Sequence, residues 1–200
     1  MARVTPTPNE DSALTLWPPK PLIYEINTWV WLNTLSRRYG RPITLSTVPD
    51  DALEDLARSG INTVWLMGVW ARSPAAAAHA RQWAHEYKPA LPDLTDEDVI
   101  GSAYAIHDYQ VDRRIGGRKG LAALRRRLKA RGLRLILDYV PNHVALDHPW
   151  VRERPACLIQ GTPRDLKRRR SDFFQATDAW GRSLVTVSYT HLTLPTIYSV

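Results

Sequence analysis

A carboxylate, an amide and an imidazole fall within six positions in Asp138-Tyr139-Val140-Pro141-Asn142-His143, directly after the apolar run Leu135–Leu137. A carboxylate at the end of so apolar a run costs stability unless hydrogen bonds receive it, so Asp138 needs a partner. Two readings of the cluster stand side by side. It is a binding or catalytic site, or Asp138 pins a loop while Asn142 turns the chain and His143 caps it. Upstream, the segment Gly101-Ser-Ala-Tyr104-Ala-Ile-His107-Asp108-Tyr109 sets aromatic rings beside hydrogen-bonding groups. Sugars take that combination, because their axial C–H patches pack on rings while their hydroxyls need polar partners. Two tyrosines packing a loop onto a sheet is the plainer alternative.

Such groups need a scaffold, and the apolar pattern describes one. Residues 1–20 hold four prolines without periodicity and read as an extended arm. The β-branched and aromatic run Leu22–Thr28, extending as far as Leu32, suits a strand that starts after Pro21. Pro49–Ser59 carries acids in its first turn, Leu53 and Leu56 at helical spacing, and Gly60 as a stop, which predicts a helix. Ile61–Trp70 is almost continuously apolar, as in a parallel strand covered on both faces. About 48 residues then pass before the next β-α signal, a length usual only for functional insertions. Within them, Ser73-Pro74 is an N-cap and N1 pair that predicts an inserted helix over 74–87. Gly120–Gly132 is the second scaffold helix, and Leu133–Val140 is a third buried strand stopped by Pro141.

The order β-α-β-α-β with right-handed crossovers means an α/β fold with a parallel sheet, either doubly wound or part of a (β/α)8 barrel. No G-x-G-x-x-G follows the first strand and no G-x-x-x-x-G-K-[ST] occurs, so neither phosphate loop is written here. In a TIM barrel the active site lies at the C-terminal strand ends, where this chain places its long insertion and its polar cluster. The expected fold is a partial (β/α)8 TIM barrel, its first three strands and two scaffold helices plus an inserted helix.

The 200 residues are 44% hydrophobic and 24% charged, which supports a sizeable core and excludes a long disordered chain. No apolar run reaches the roughly 18–20 residues of a membrane span, and the first residues lack a basic-then-apolar signal pattern. A cytoplasmic protein without a membrane partner is the expectation. The single Cys157 excludes an internal disulfide and a cysteine-based zinc site. A net charge of +7 invites a nucleic-acid reading. However, Arg125, Arg126, Arg127, Lys129 and Arg131 interleave with Leu121, Leu124 and Leu128 at helical spacing and take the solvated face. Lys167–Arg170 lacks the repeated aromatics of a base-stacking platform, so no nucleic-acid partner is expected.

Four blocks in order, YEINT, VWLMGVW, GSAYAIHDYQVD and LRLILDYVPNH, with the GLAALRRRLKARG helix between the last two, resemble the start of the alpha-amylase family, glycoside hydrolase family 13. In that family the blocks include Tyr-(Glu/Gln)-Ile, Gly-x-x-Tyr-x-x-x-Asp-Tyr and Asp-x-x-x-Asn-His. The resemblance covers residues 22 to about 150, with the following loop to about 182. It implies retaining action on α-glucosidic bonds through a covalent glycosyl intermediate, with an α-glucan or α-glucoside as substrate. Hydrolases, transglycosylases and sugar-isomerising members share these blocks. By the resemblance, Tyr104 would stack on the sugar ring beside the cleaved bond and His143 would hydrogen-bond that ring. Asp108 and Tyr109 would shape the pocket floor. Asp138 would brace the loop, and Asn142 would be a ligand of the structural calcium that many relatives hold.

Retaining glycosidases need two carboxyl groups roughly 5–5.5 Å apart. In this family these, with a further Asp, lie on strands four, five and seven, and only three strands are legible here. Arg152-Glu153-Arg154 and Arg164-Asp165 follow no apolar strand, so the family's Arg-x-Asp block is not found and no catalytic residue is assigned. The expectation is an N-terminal fragment that binds sugar and is inactive alone. After Arg182 no Asp, Glu, Lys or Arg occurs in 18 residues, and Val187–Thr196 resembles the translation of a transposase-based sequencing adapter, whose continuation Ile197–Val200 also fits. The expected organisation is therefore an arm over 1–20, barrel sequence over 21–186 and a non-native tail over 187–200. A short non-catalytic carbohydrate-binding protein is the alternative, and a basic nucleic-acid binder the more distant one.

Overall fold

The fold comes from a computed structural model that describes residues 17–187. Most of the expected arm, and the expected tail beyond Val187, lie outside the described residues. In chain order the elements are β1 Ile23–Asn27, α1 Thr28–Tyr39, α2 Asp50–Arg58, β2 Thr63–Met67, β3 Trp70–Arg72, α3 Pro74–Arg81, α4 Ala84–Tyr87 and β4 Ile106–Val111. They continue with α5 Gly117–Lys129, β5 Arg134–Leu137, α6 Pro149–Glu153, β6 Gln160–Gly161, α7 Pro163–Arg168, β7 Phe173–Thr177 and β8 Ser183–Val187. Two units result, residues 17–69 with 113–138, and residues 70–112 with 139–187.

The first unit holds the expected β-α-β-α-β scaffold. Its three strands are parallel in the order β1-β2-β5, with Ile26 beside Leu66 and Leu66 beside Leu137. Val64, Leu66, Leu53 of α2, and Leu124 and Leu128 of α5 are all buried. Helix α5 presents those leucines at i and i+4; Arg125, Arg126 and Lys129 are exposed as expected, whereas Arg127 and, just past the helix, Arg131 are half-buried, both pairing with Asp50 and Arg131 also with Glu54. Gly120 permits close approach, since a Cβ there would meet the Leu45 Cβ at 3.4 Å.

Four boundaries in this unit differ from expectation, one of them that of the third strand, which ends at Leu137 and not at Val140 and whose residues are half-buried. The first strand ends at Asn27 instead of reaching Leu32, because the Asn27 side chain accepts from the Val30 N–H and starts α1. Thr28, Leu32 and Leu35 then form one buried helical face. The second strand ends at Met67, because Gly68 turns the chain with φ 79°. Helix α5 begins at Gly117, before the expected Gly120.

In the second unit, β3 and β4 pair antiparallel with two register shifts, and neither strand was expected separately. The inserted helix is two helices, broken between Arg81 and Ala84, with Ser73 capping α3 through the Ala76 N–H. A further antiparallel sheet has the order β6-β8-β7. Its central strand is the start of the charge-free stretch, with Val185 and Thr186 buried. Among the described residues no helix is long and apolar enough to cross a membrane.

Candidate functional site

In the first unit the polar group at the C-terminal end of the sheet is Asp138, 7% exposed. Its Oδ1 accepts the Trp65 Nε1–H at 2.8 Å and its Oδ2 accepts the Gly68 N–H at 2.6 Å. Trp29, from the first turn of α1, donates its Nε1–H to the Gly68 carbonyl at 3.0 Å. The turn after β2 is thus held on both its N–H and its C=O, and the carboxylate that the apolar strand could not leave bare has two donors.

The remaining sequence-predicted residues, Tyr104, Asp108, Tyr109, Asn142 and His143, belong to the second unit. Tyr109 projects from β4 and its hydroxyl brackets Val140, accepting from the backbone N–H at 2.8 Å and donating to the carbonyl at 3.1 Å. Its ring meets Trp70 edge-on at 5.3 Å between centroids and lies 6.1 Å from Tyr139, forming a partly exposed aromatic row. Asp108 is half-buried on the same strand, opposite Ala71.

The His143 Nε2 and the Tyr104 carbonyl are 3.0 Å apart. A carbonyl only accepts, so Nε2 carries the proton and Nδ1 is left as an acceptor facing the Asn142 amide at 3.4 Å. Burial holds the His143 imidazole below its ordinary value, against the opposing pull of the Tyr104 carbonyl, so the ring is neutral at neutral pH. Tyr104 itself is half-buried.

Beside this pair stands a group that sequence reasoning did not single out. Asp147 Oδ2 accepts the Ala75 N–H at 2.9 Å, and its Oδ1 lies 3.5 Å from His107 Nδ1. Burial pushes the Asp147 carboxyl up, but hydrogen bonds from Ser73 and Ala75 and the nearby His107 outweigh it and hold the group below its ordinary value. His148 is 6% exposed, accepts the Trp150 N–H at its Nδ1 and starts α6. A signal was present: Asp147-His148-Pro149 reads as a cap followed by proline at N1, four residues beyond Asn142-His143.

A family model described as the alpha-amylase catalytic domain matches residues 50–185. The chain belongs to the alpha-amylase family. No curated protein matches it. Among solved structures it is similar to Eubacterium rectale Amy13B, with 20% identity and a TM-score of 0.43, over 78% of this chain and 25% of that one. It is also similar to an alpha-amylase from Geobacillus thermoleovorans complexed with acarbose, with 21% identity and a TM-score of 0.41, over 84% of this chain and 33% of that one. An alpha-amylase from Lactobacillus plantarum gives 18% identity and a TM-score of 0.43, over 81% and 28%. The chain spans a quarter to a third of the length of these alpha-amylase-family structures.

Calcium, which many alpha-amylase relatives hold, finds one candidate ligand here. Asn142 is exposed, and among the described residues no group of three or more His, Cys, Asp or Glu could hold a metal ion. Calcium takes six to eight oxygen ligands, so these residues alone do not fit it.

Proposed function

We propose that this chain supplies the sugar-binding early strands and loops of an alpha-amylase-family enzyme acting on α-glucosidic bonds with retention. The match of the alpha-amylase catalytic domain over 50–185 carries the reading. In it, the Tyr104 ring packs against a glucose ring, and the neutral His143 imidazole offers hydrogen bonding to the same sugar. Asp108 and Tyr109 shape the wall beside them, and Asp138 keeps the turn after β2 in place. The geometry supports this, because His143 is fixed in tautomer and tied to the residue that would stack on the sugar.

Retention requires a carboxylate to attack the anomeric carbon while a second carboxyl protonates the leaving oxygen, then water to release the glycosyl group with the second carboxyl acting as base. We place both carboxyl groups outside the strands described here, and calcium, where it is used, depends on oxygen ligands beyond Asn142. Hydrolysis and transfer to another sugar share these steps, and the acceptor that enters decides between them. The lone Cys157 fits a reducing compartment, and we keep a cytoplasmic setting within the reading.

The test is titration of the 200-residue chain with maltoheptaose, alongside xylohexaose as a β-linked control. Binding of maltoheptaose that weakens about tenfold in Tyr104→Ala and in His143→Ala, the loss of roughly one good contact each, is expected. Equal affinity for both sugars, or unchanged affinity in both variants, would overturn the assignment. The chain alone should release no reducing sugar; turnover by it would show that the carboxylates lie within these residues.

A further inference from the structure

We propose that His107 is a positioning residue, which through Asp147 fastens the 143–147 loop along β4 and so sets where the His143 ring points. Its consequence for sugar binding rests on the function proposed above; the positioning itself does not.

The loop runs beside the chain leading into β4. His143 Nε2–H donates to the Tyr104 carbonyl at 3.0 Å, the Ala145 N–H donates to the Ile106 carbonyl at 3.3 Å, and Asp147 Oδ1 faces His107 Nδ1 at 3.5 Å. These contacts follow one another along the loop, which then turns, the His148 N–H reaching the Ala145 carbonyl at 3.0 Å. The first link is the one that would serve the substrate, and the middle one is a single backbone bond. The far end, inside that turn, decides whether the loop stays against β4.

Asp147 makes that end firm. Besides the Ala75 N–H it receives the Ser73 hydroxyl, so the carboxylate is tied to the start of α3. Its second oxygen and His107 Nδ1 are both buried, neither makes a hydrogen bond, and they face each other at 3.5 Å. A donor at the Nδ1 place completes the set; without one a buried carboxylate oxygen is left unsatisfied, a cost that withdrawal of the loop would relieve. His107 Nδ1 stands where that donor is needed, whether or not the ring is charged, and a side chain of similar bulk without a donor there cannot supply it.

The two amides separate donor placement from bulk. Asn at 107 presents its N–H₂ near the Nδ1 place, while the larger Gln presents it near the Nε2 place. The readout is the solvent-exchange rate of the His143 Nε2–H proton, followed by NMR in the 200-residue chain, with His107→Leu as the full deletion. We expect His107→Asn to keep the wild-type rate, and His107→Gln and His107→Leu to exchange at least about tenfold faster, the rate equivalent of one lost charged hydrogen bond. Gln performing as well as Asn, or Asn exchanging as fast as Gln, would overturn the proposal, and this comparison stands even if the leucine variant does not fold. Maltoheptaose titration of the same variants reports on the sugar site separately. Faster exchange with unchanged maltoheptaose affinity would uphold His107 as a positioning residue and count against a sugar role for His143.

Discussion

At the scale of single residues, Asp138 illustrates how much a carboxylate can do without taking part in chemistry. Both oxygens accept, one from an indole N–H and one from a backbone N–H, and together they close the turn after β2. In Asp138→Asn one of the two positions must become an N–H₂ group facing a donor, so one bond is lost and a buried donor is stranded. We expect a loss of about 1–3 kcal/mol, read as a lower denaturant midpoint with unchanged slope. A midpoint equal to wild type would mean that Asp138 does not brace the turn. The sequence made the need for a partner readable, because an acid after Leu-Ile-Leu cannot stay bare. It did not reveal the partners, since Trp65 and Gly68 lie some 70 residues away inside a run that reads as uninterrupted strand. His107 and Asp147 were harder still, because each is ordinary alone and their pairing exists only once the loop lies along β4.

At the scale of elements, the scaffold was legible where one periodic signal had no competitor. Helices α2 and α5 and the cores of β1, β2 and β5 follow directly from leucine spacing and apolar runs. Helix α1 was not, because Thr28-Trp29-Val30-Trp31 has strand composition, and only the Asn27 cap distinguishes it. The pairing of β3 with β4 was hidden for another reason: strand partners far apart in sequence leave no local signature, and three-residue β3 is too short to alternate. Two substitutions test these elements. Ser73→Ala removes the cap of α3 and one donor to Asp147, and should cost about 1–2 kcal/mol; Ser73→Asp, which caps but repels Asp147, should not restore it. Restoration by Asp would show that capping alone matters. Gly161→Ala should be worse, because its Cβ would fall 2.5 Å from Phe173 Cε1 and 3.3 Å from Val185 Cγ1, forcing the buried ring to move. Overpacking of this kind costs about 1–3 kcal/mol, and an alanine variant as stable as wild type would show that β6 does not pack on β7 and β8 as described.

At the scale of the whole molecule, buried imidazoles and tied carboxylates together set how stability responds to acid. Burial lowers His148 below its ordinary value of 6.5, with Asp108, Asp147 and Glu153 pulling upward and His107 downward, and burial likewise lowers His143. For both, the unfolded chain binds a proton more readily than the folded one. Their contribution is therefore full above the unfolded value and is lost as the pH falls from there toward the folded one. Asp147 is lowered from 3.8 once its hydrogen bonds overcome burial, and so contributes stability above that value that is lost as the pH falls through its folded value. Asp50, lowered chiefly by its hydrogen bond from Arg127, acts in the same sense. The denaturant midpoint of the 200-residue chain should thus be level above about pH 7, decline first below about 6.5, and decline again below about 4. His148→Asn keeps an acceptor at the start of α6 but has nothing to protonate, so it should reduce the first decline and leave the second in place. A midpoint that holds level or rises between pH 7 and 5, or a first decline of undiminished size in His148→Asn, would show that His148 is not kept neutral by its surroundings.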